Sequence, residues 1–535
     1  MSDTPEQPTA PNSSRPSRKQ PTDESIKETF ESIIIAFILA FVFRAYVVEA
    51  FVIPTGSMAP TLLGAHVPIT CGQCGYHFEI GINISGGSPR ESITLSRPQI
   101  CPMCHNPIRL GKVLPSSGDR ILVQKYMYSL FEPRRWDVVV FKAPHQPDIN
   151  YIKRLVGLPN ERIHIIEGNV YVQPMDETGN PAGEWRIARK TDPTVNPHAY
   201  TIQRTVWQPI YHSTYIPADA SARRWSSPWQ VESGTWTGVG PGQSPARSYH
   251  FSGSDMGRLR FDFRRALPTL LSLHPYNQPQ GIGPNIPFED MRVAAGFQPE
   301  SANLAVELQT TGRIDETGEP AVLLARIAAD GTASLGRLND DGTFEPFSTA
   351  HVGPFLPGRT RDVELWFVDQ ELSLWVDGRL AMEPVRFDIP YEAIVERPIL
   401  NDRPDVAITV QGCPVTLHRV EVDRDLYYTS SYTDYLRGTL YKENGGSLDR
   451  GPVELPADQF FCLGDNSPAS HDGRGWESVD SWVAYDKFTT HPQPGVVPRR
   501  LMMGRAFFVY YPAPYGWSPE GVKIIPNFAR MRFIH

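Results

Sequence analysis

Two residues have types and settings that fit nucleophilic chemistry: Ser57, in the turn of FVIPTGSMAPTLLG (51–64), and Lys153, in the apolar run YIKRLVGL (151–158). A serine hydroxyl attacks a carbonyl only when a base takes its proton. No histidine lies in IPTGSMAPT, in GDRILVQKY (118–126), or in the β-branched runs RRWDVVVFKAP (134–144) and NYIKRLVGLPNERI (150–163). A lysine serves instead if it is neutral. Alternation along a strand puts Tyr151, Lys153 and Leu155 on one face, among apolar neighbours. Burial disfavours the ammonium form, and bringing it from about 10.4 to about 7–8 corresponds to roughly 3–5 kcal/mol. Further on, FFCLGDNSPASHDGRGW (460–476) is an apolar strand that breaks into a polar turn. Taken singly, Ser57 fits a turn cap and Lys153 a snorkelling strand lysine; a Ser–His pairing through His471 is the other chemical alternative.

The elements that must position these residues follow from composition. A chain of 535 residues is too long for one core, so several folded units are expected. With 51 Pro, 42 Gly and little helical periodicity, strands and loops dominate. A net charge of −8 excludes a nucleic-acid binder, which needs a basic surface. Residues 1–27 are polar and Pro/Ser/Thr-rich, and are expected to be a disordered cytoplasmic tail. Residues 28–53 follow as a transmembrane helix whose apolar core, Ile33–Ile53, holds only Arg44 and Glu49 as charges. Twenty-one residues at 1.5 Å each reach roughly 30 Å, one hydrocarbon thickness. Arg15, Arg18, Lys19 and Lys27 precede the span, and after Arg44 no Lys or Arg occurs until Arg90. The positive-inside rule then places the N-terminus in the cytoplasm and the rest of a single-pass chain on the extracytoplasmic face of the cell membrane. The long polar leader and the interior Arg44 argue against the alternative, a cleaved signal peptide.

Behind this span, PTGSMAPTLLG (54–64), GDRILVQKY, RWDVVVFKAP with YIKRLVGLP, and FCLGDNSPASHDGR (461–474) come in an order that resembles the successive motifs of type I signal peptidases; GRAFFVYYP (504–512) resembles that family's closing strand. The likeness covers residues 25–64, 113–172 and 456–512. It implies a mainly β fold, with a signal-peptidase-type β catalytic domain behind one N-terminal transmembrane helix. It also implies a serine endopeptidase that removes signal peptides from exported preproteins after A-x-A sites at the outer face of the membrane. Ser57 is then the nucleophile and Lys153 the general base. The Ser57 N–H and Thr55 hydroxyl form the oxyanion hole. Ser470 orients the lysine, Asp472 and Arg474 form an ion pair behind it, and Asp465 and Arg154 are their partners. Ile53, Pro54 and Tyr151 line pockets for small residues. No cofactor is implied for catalysis; the implied partners are preprotein signal peptides, the lipid bilayer and the secretion translocon. The sequence departs from the family pattern at Ser467, where Arg is frequent, at Gly473, where Ser is frequent, and at His471, where a small residue is usual. These bear on the groups behind the dyad. A protein of another class, a membrane-anchored binding protein acting through its β-sandwich with a vestigial peptidase site, is the alternative function.

The motifs divide the chain. Residues 54–64, 113–172 and 456–535 make the expected catalytic domain. Residues 65–112 carry CGQCGYHF and CPMCHNP: Cys71-x2-Cys74 and Cys101-x2-Cys104, a spacing that suits four thiolates around structural zinc. Two disulfides are the competing reading on an oxidising face. His77 and His105 read as surface residues, and Cys413 and Cys462 as buried thiols. Residues 173–284 form an irregular Trp-rich insert, whose Trp207, Trp225, Trp229 and Trp236 are either structural or membrane-interfacial. From 285 to 425 period-two alternation, with turns at Asp330-Gly331, Asp369-Gln370 and Asp377-Gly378, indicates an inserted antiparallel β-sandwich. LSLWVDGR (372–379) loosely resembles laminin-G or concanavalin-like sandwiches. Residues 426–455 are the return linker.

Overall fold

The structure is a computed structural model that describes residues 23–82, 92–217, 225–239, 246–266, 276, 288–397, 403–429, 432–434, 439–441, 451–485, 493–514 and 527–535. Most of the N-terminal tail, and much of the return linker, lie outside the described residues. The chain divides into two units, with the boundary between Glu49 and Ala50.

In the first unit, Asp23–Tyr46 is one α-helix. Its segment Lys27–Tyr46 is long and apolar enough to cross a membrane. Phe30, Ile35, Leu39, Phe41 and Tyr46 are all more than 60% exposed, so the helix is apolar without a core to bury it. Such a helix suits lipid rather than water. The helix stops seven residues before the expected end at Ile53. Val48–Val52 is extended instead and forms the edge strand of a sheet. The physical reason is local: Val47 and Val48 are β-branched, and Pro54 follows.

An eight-stranded sheet, whose first strand straddles the boundary between Glu49 and Ala50, runs in the order Val48–Val52, Arg120–Gln124, Met502–Tyr511, Val138–Ala143, Gln146–Gly157, Gln459–Leu463, Val497–Pro498, with Arg532–Phe533 paired to Met502–Tyr511. The C-terminal strand Met502–Tyr511 therefore pairs between two strands from the first third of the chain, antiparallel to both. One core under this sheet joins Ile53, Met58, Leu62, Ile121, Val123, Val138, Val140, Ala506 and Val509. A smaller sheet, Arg186–Ile187, Asn169–Pro174, Glu161–Ile166, Val453–Leu455, extends the domain.

The large insert is a two-sheet sandwich with nine and seven strands. Its turns at Asp369-Gln370 (φ 48 and 57) and Asp377-Gly378 (φ 51 and 74) have the paired positive φ of a type I′ hairpin. The sandwich begins earlier than residue 285. Gln208–His212, Trp236–Thr237 and Ser248–Phe251 join one sheet, and Trp229–Ser233 and Gly257–Phe261 the other. These strands are short and broken by Pro, Ser and Gly, so alternation is not visible over a useful window. Trp229 (0% exposed) and Trp236 (2%) are core residues, not surface aromatics, which removes the membrane-interface reading for them. Lys190, fully buried, ties the sandwich down: its Nζ donates to Asp369 Oδ1 at 2.6 Å and pairs with Asp425 Oδ2 at 2.8 Å.

Candidate active site

Ser57 lies on the short 3₁₀ turn Gly56–Met58, just past the edge strand, and is buried. Asn466 holds this turn from across the site: its N–H donates to the Ser57 carbonyl at 3.0 Å and its Nδ2 to the Gly56 carbonyl at 2.9 Å. Lys153 sits in the middle of Gln146–Gly157, opposite Val139 on the neighbouring strand. Its Nζ donates to Ser57 Oγ at 2.7 Å and to the Ile152 carbonyl at 3.2 Å. Burial lowers the Lys153 amine from its ordinary 10.5 to about 8, against the opposing pull of the Asp472 carboxylate. The Tyr151 ring lies 5.1 Å from the same Nζ.

The strand alternates, so Arg154 points away from Lys153 and into the protein. Its Nε and Nη2 bond Asp465 at 2.8 and 2.7 Å, with both side chains fully buried, and Thr61 Oγ1 donates to the same carboxylate at 2.5 Å. Arg474 makes a second bidentate pair with Asp472, at 2.9 and 2.8 Å. Burial alone would push Asp472 up; Arg474 holds it below its ordinary range. The two pairs are thus separate, Arg154 with Asp465 and Arg474 with Asp472. Ser467 has a place in the second: Arg474 Nη1 donates to its Oγ at 2.7 Å, and the Thr429 N–H donates to that Oγ at 2.9 Å. Thr61, Thr429 and Asn466 are participants that the motifs alone did not single out; each bonds across more than 35 positions of chain, and no local pattern announces that.

Ser470 is fully buried, and its Oγ hydroxyl lies beside the Asp472 carboxylate, which it helps to hold low. A Cβ built on Gly464 would lie 2.2 Å from that Oγ and 2.3 Å from the Ser57 carbonyl oxygen, so only glycine lets the two loops approach this closely. Ile53 is buried, Tyr151 half-buried, and Pro54 and Thr55 exposed at the mouth. Trp476 and His145 surround the Tyr151 ring at 5.9 and 5.6 Å, and His471 stands edge-on to His145 at 5.3 Å. Burial, with His471 beside it, lowers His145 to about 4.

An antiparallel β scaffold thus presents a serine hydroxyl to a buried amine, an arrangement with the chemistry a serine peptidase needs. The family model described as signal peptidase, peptidase S26, matches residues 114–224 and 402–511. Signal peptidase I of Rickettsia typhi is 28% identical over 151 residues, 28% of this chain and 45% of the relative. Signal peptidase I of Rickettsia massiliae is 27% identical over 154 residues, 29% of this chain and 46% of the relative. Over those residues the chain is similar to the signal peptidase family, peptidase S26. It spans under half the length of these curated relatives. Among solved structures, a carbohydrate-binding module from Bacillus subtilis covers 37% of this chain at TM-score 0.24 and 9% identity, with 96% of that module matched. A Bacillus licheniformis β-glucanase covers 37% at TM-score 0.23 and 11% identity, with 91% of that chain matched. Likeness at that level carries no argument about this chain.

The four cysteines come together apart from this site. Each pair closes the tip of a two-stranded hairpin, His66–Thr70 with His77–Gly81 and Gln99–Ile100 with Pro107–Ile108. In both tips the residue after the second cysteine has positive φ (Gly75 at 77, His105 at 56) and donates its N–H to the first cysteine's carbonyl at 2.9 Å. His105 Nε2 bonds the Ala266 carbonyl at 2.9 Å, and His77 pairs with Thr70 and Glu79, so neither stands as a fifth donor. The four Sγ atoms lie within 4.8 Å of one another, with Cys71–Cys104 and Cys74–Cys101 each at 3.6 Å. A zinc tetrahedron with Zn–S of about 2.3 Å has an edge of about 3.8 Å, so the cluster fits that ion.

Proposed function

We propose that this chain is a membrane-anchored signal peptidase that cleaves exported preproteins after small residues of A-x-A type on the extracytoplasmic face of the cell membrane. The observation that carries the reading is the 2.7 Å approach of a fully buried amine to the Ser57 hydroxyl. As the free amine, Lys153 accepts the hydroxyl proton while Ser57 Oγ attacks the scissile carbonyl. The Ser57 N–H and the Thr55 hydroxyl stabilise the oxyanion. The lysine proton then passes to the leaving amine, which frees the mature chain and leaves the signal peptide as an ester on Ser57. Lys153 next deprotonates the water that releases it. Ile53, Pro54 and Tyr151 shape the mouth for small side chains. Asp465, Arg154, Ser470, Asp472 and Arg474 hold the lysine strand and the polar turn in place. The cationic N-terminal flank orients the Asp23–Tyr46 helix with its start in the cytoplasm. The test is cleavage of a preprotein bearing an A-x-A site by the full chain in lipid vesicles, alongside Ser57→Ala and Lys153→Ala. Undiminished cleavage by both variants would remove the dyad.

The cysteine cluster is read as structural zinc: Cys71, Cys74, Cys101 and Cys104 would hold the ion, which joins the two hairpins. Metal analysis is expected to return one zinc per chain and four further titratable thiols after denaturation in chelator. Chelation is expected to lower the unfolding midpoint of the insert, because binding energy at such a site is folding energy. Two disulfides and no metal would overturn this assignment.

A further inference from the structure

One aromatic side chain, Tyr276, lies against the nucleophile turn. Tyr276 is 4% exposed and packs with Ala59 and Leu63, the residues just after that turn. Its hydroxyl donates to the Ala65 carbonyl at 3.0 Å. A Cβ built on Gly56 would lie 2.0 Å from Tyr276 Cε1, and one built on Gly81 also 2.0 Å from it. The ring is therefore held between the residue preceding Ser57 and the end of the first cysteine hairpin. Gly56 is not in the left-handed region, so the ring itself bars a side chain there. The three-residue turn has no side-chain cap of its own. Asn466 fastens its carbonyls, and Tyr276 presses on its α-carbon.

We infer that Tyr276 is a positioning residue for Ser57, by which the insert sets the pose of the nucleophile. The inference rests on the peptidase reading above. A hydroxyl must sit within a few tenths of an ångström of its working pose, and a misplacement of about 1 Å costs about 10²-fold in rate. Tyr276→Ala leaves the turn unbuttressed on one side, whereas Tyr276→Phe keeps the ring.

Two readouts test this in the full-length chain: kcat and KM for preprotein cleavage, and the rate of Ser57 phosphonylation by a fluorophosphonate. In the latter, the Oγ–P bond forms, the P–F bond breaks, fluoride leaves and the hydroxyl proton passes to the base. Tyr276→Ala is expected to lower both kcat and the phosphonylation rate by about 10–100-fold, with KM changed by less than about 3-fold. Tyr276→Phe is expected to stay within about 2-fold of wild type, since its ring still fills the gap. Gly56→Ala drives a methyl into the ring and slows the reaction; adding Tyr276→Ala opens space for that methyl, so the double variant is expected to be faster than Gly56→Ala alone. Should Tyr276→Ala not melt cooperatively, Tyr276→Leu, which fills volume without the flat ring, carries the same comparison. Wild-type kcat in a folded Tyr276→Ala protein, or equal rates for Gly56→Ala with and without Tyr276, would overturn the inference. Failure of wild type to cleave, or cleavage retained by Ser57→Ala, would instead remove the peptidase reading, while phosphonylation still reports the pose of Ser57.

Discussion

Lys153→Ala and Ser57→Ala are each expected to slow preprotein cleavage by about 10⁴-fold or more, and the double variant no further than the slower single one. In the proposed mechanism the two side chains act on one proton, so losing either loses the same step. The pH dependence follows from the buried amine. With Lys153 lowered to about 8, kcat/KM is expected to rise about tenfold per pH unit below that value and to level off above it. The stability consequence has the opposite utility. The folded amine is held below its ordinary 10.5, so between pH 8 and 10.5 the unfolded chain binds more protons than the folded one, and stability rises with pH across that window. Below pH 8 the full burial cost remains, about 3 kcal/mol at about 1.4 kcal/mol per pH unit. Lys153→Met removes the amine at nearly constant length. It is expected to abolish cleavage and to raise the unfolding midpoint at pH 7. A Lys153→Met protein less stable than wild type at pH 7 and equally so at pH 10 would contradict a penalised lysine.

The second large effect belongs to Asp465. Its carboxylate takes two bonds from Arg154 and one from Thr61, with both ionic side chains fully out of solvent. Asp465→Ala leaves a buried guanidinium without its counter-charge and is expected to cost about 3–5 kcal/mol, read as a shift in denaturant midpoint at unchanged slope. Asp465→Leu combined with Arg154→Met removes both charges and is expected to recover most of that loss, because the penalty is the orphaned charge and not the missing pair. A loss below about 1 kcal/mol in Asp465→Ala would mean that water reaches Arg154. Since Arg154 follows Lys153 on the same strand, a destabilised pair is also expected to lower kcat.

Some of this was legible because it is local. The period-two runs at 321–338 and 362–382 are strands, and the Asp369-Gln370 and Asp377-Gly378 signals are type I′ turns. The two C-x2-C tips announce themselves by spacing. Other features had only weak local signals. The strands between 208 and 261 are two to five residues long, too short for alternation to show. The helix end at Tyr46 was hidden because Val48–Val52 is as apolar as the helix before it. The surface place expected for His105 misses its backbone part: it occupies the positive-φ position that Gly75 fills in the other tip.

Residue types and their order along the chain are local properties: a serine in a Gly-containing turn after an apolar helix, a lysine in an apolar strand, and a polar Asp/Ser/Arg turn near the C-terminal end. These follow from side-chain chemistry and short-range periodicity, which any window of residues carries within it. Folding alone brings the Lys153 amine to the Ser57 hydroxyl across 96 positions of chain, pairs Arg154 with Asp465 and Arg474 with Asp472, and sets Tyr276 against Gly56. The physical reason is that these partners are chosen by the packing of strands distant in the chain. The energy of such packing is a sum over many contacts, none of which leaves a mark on its own stretch of residues.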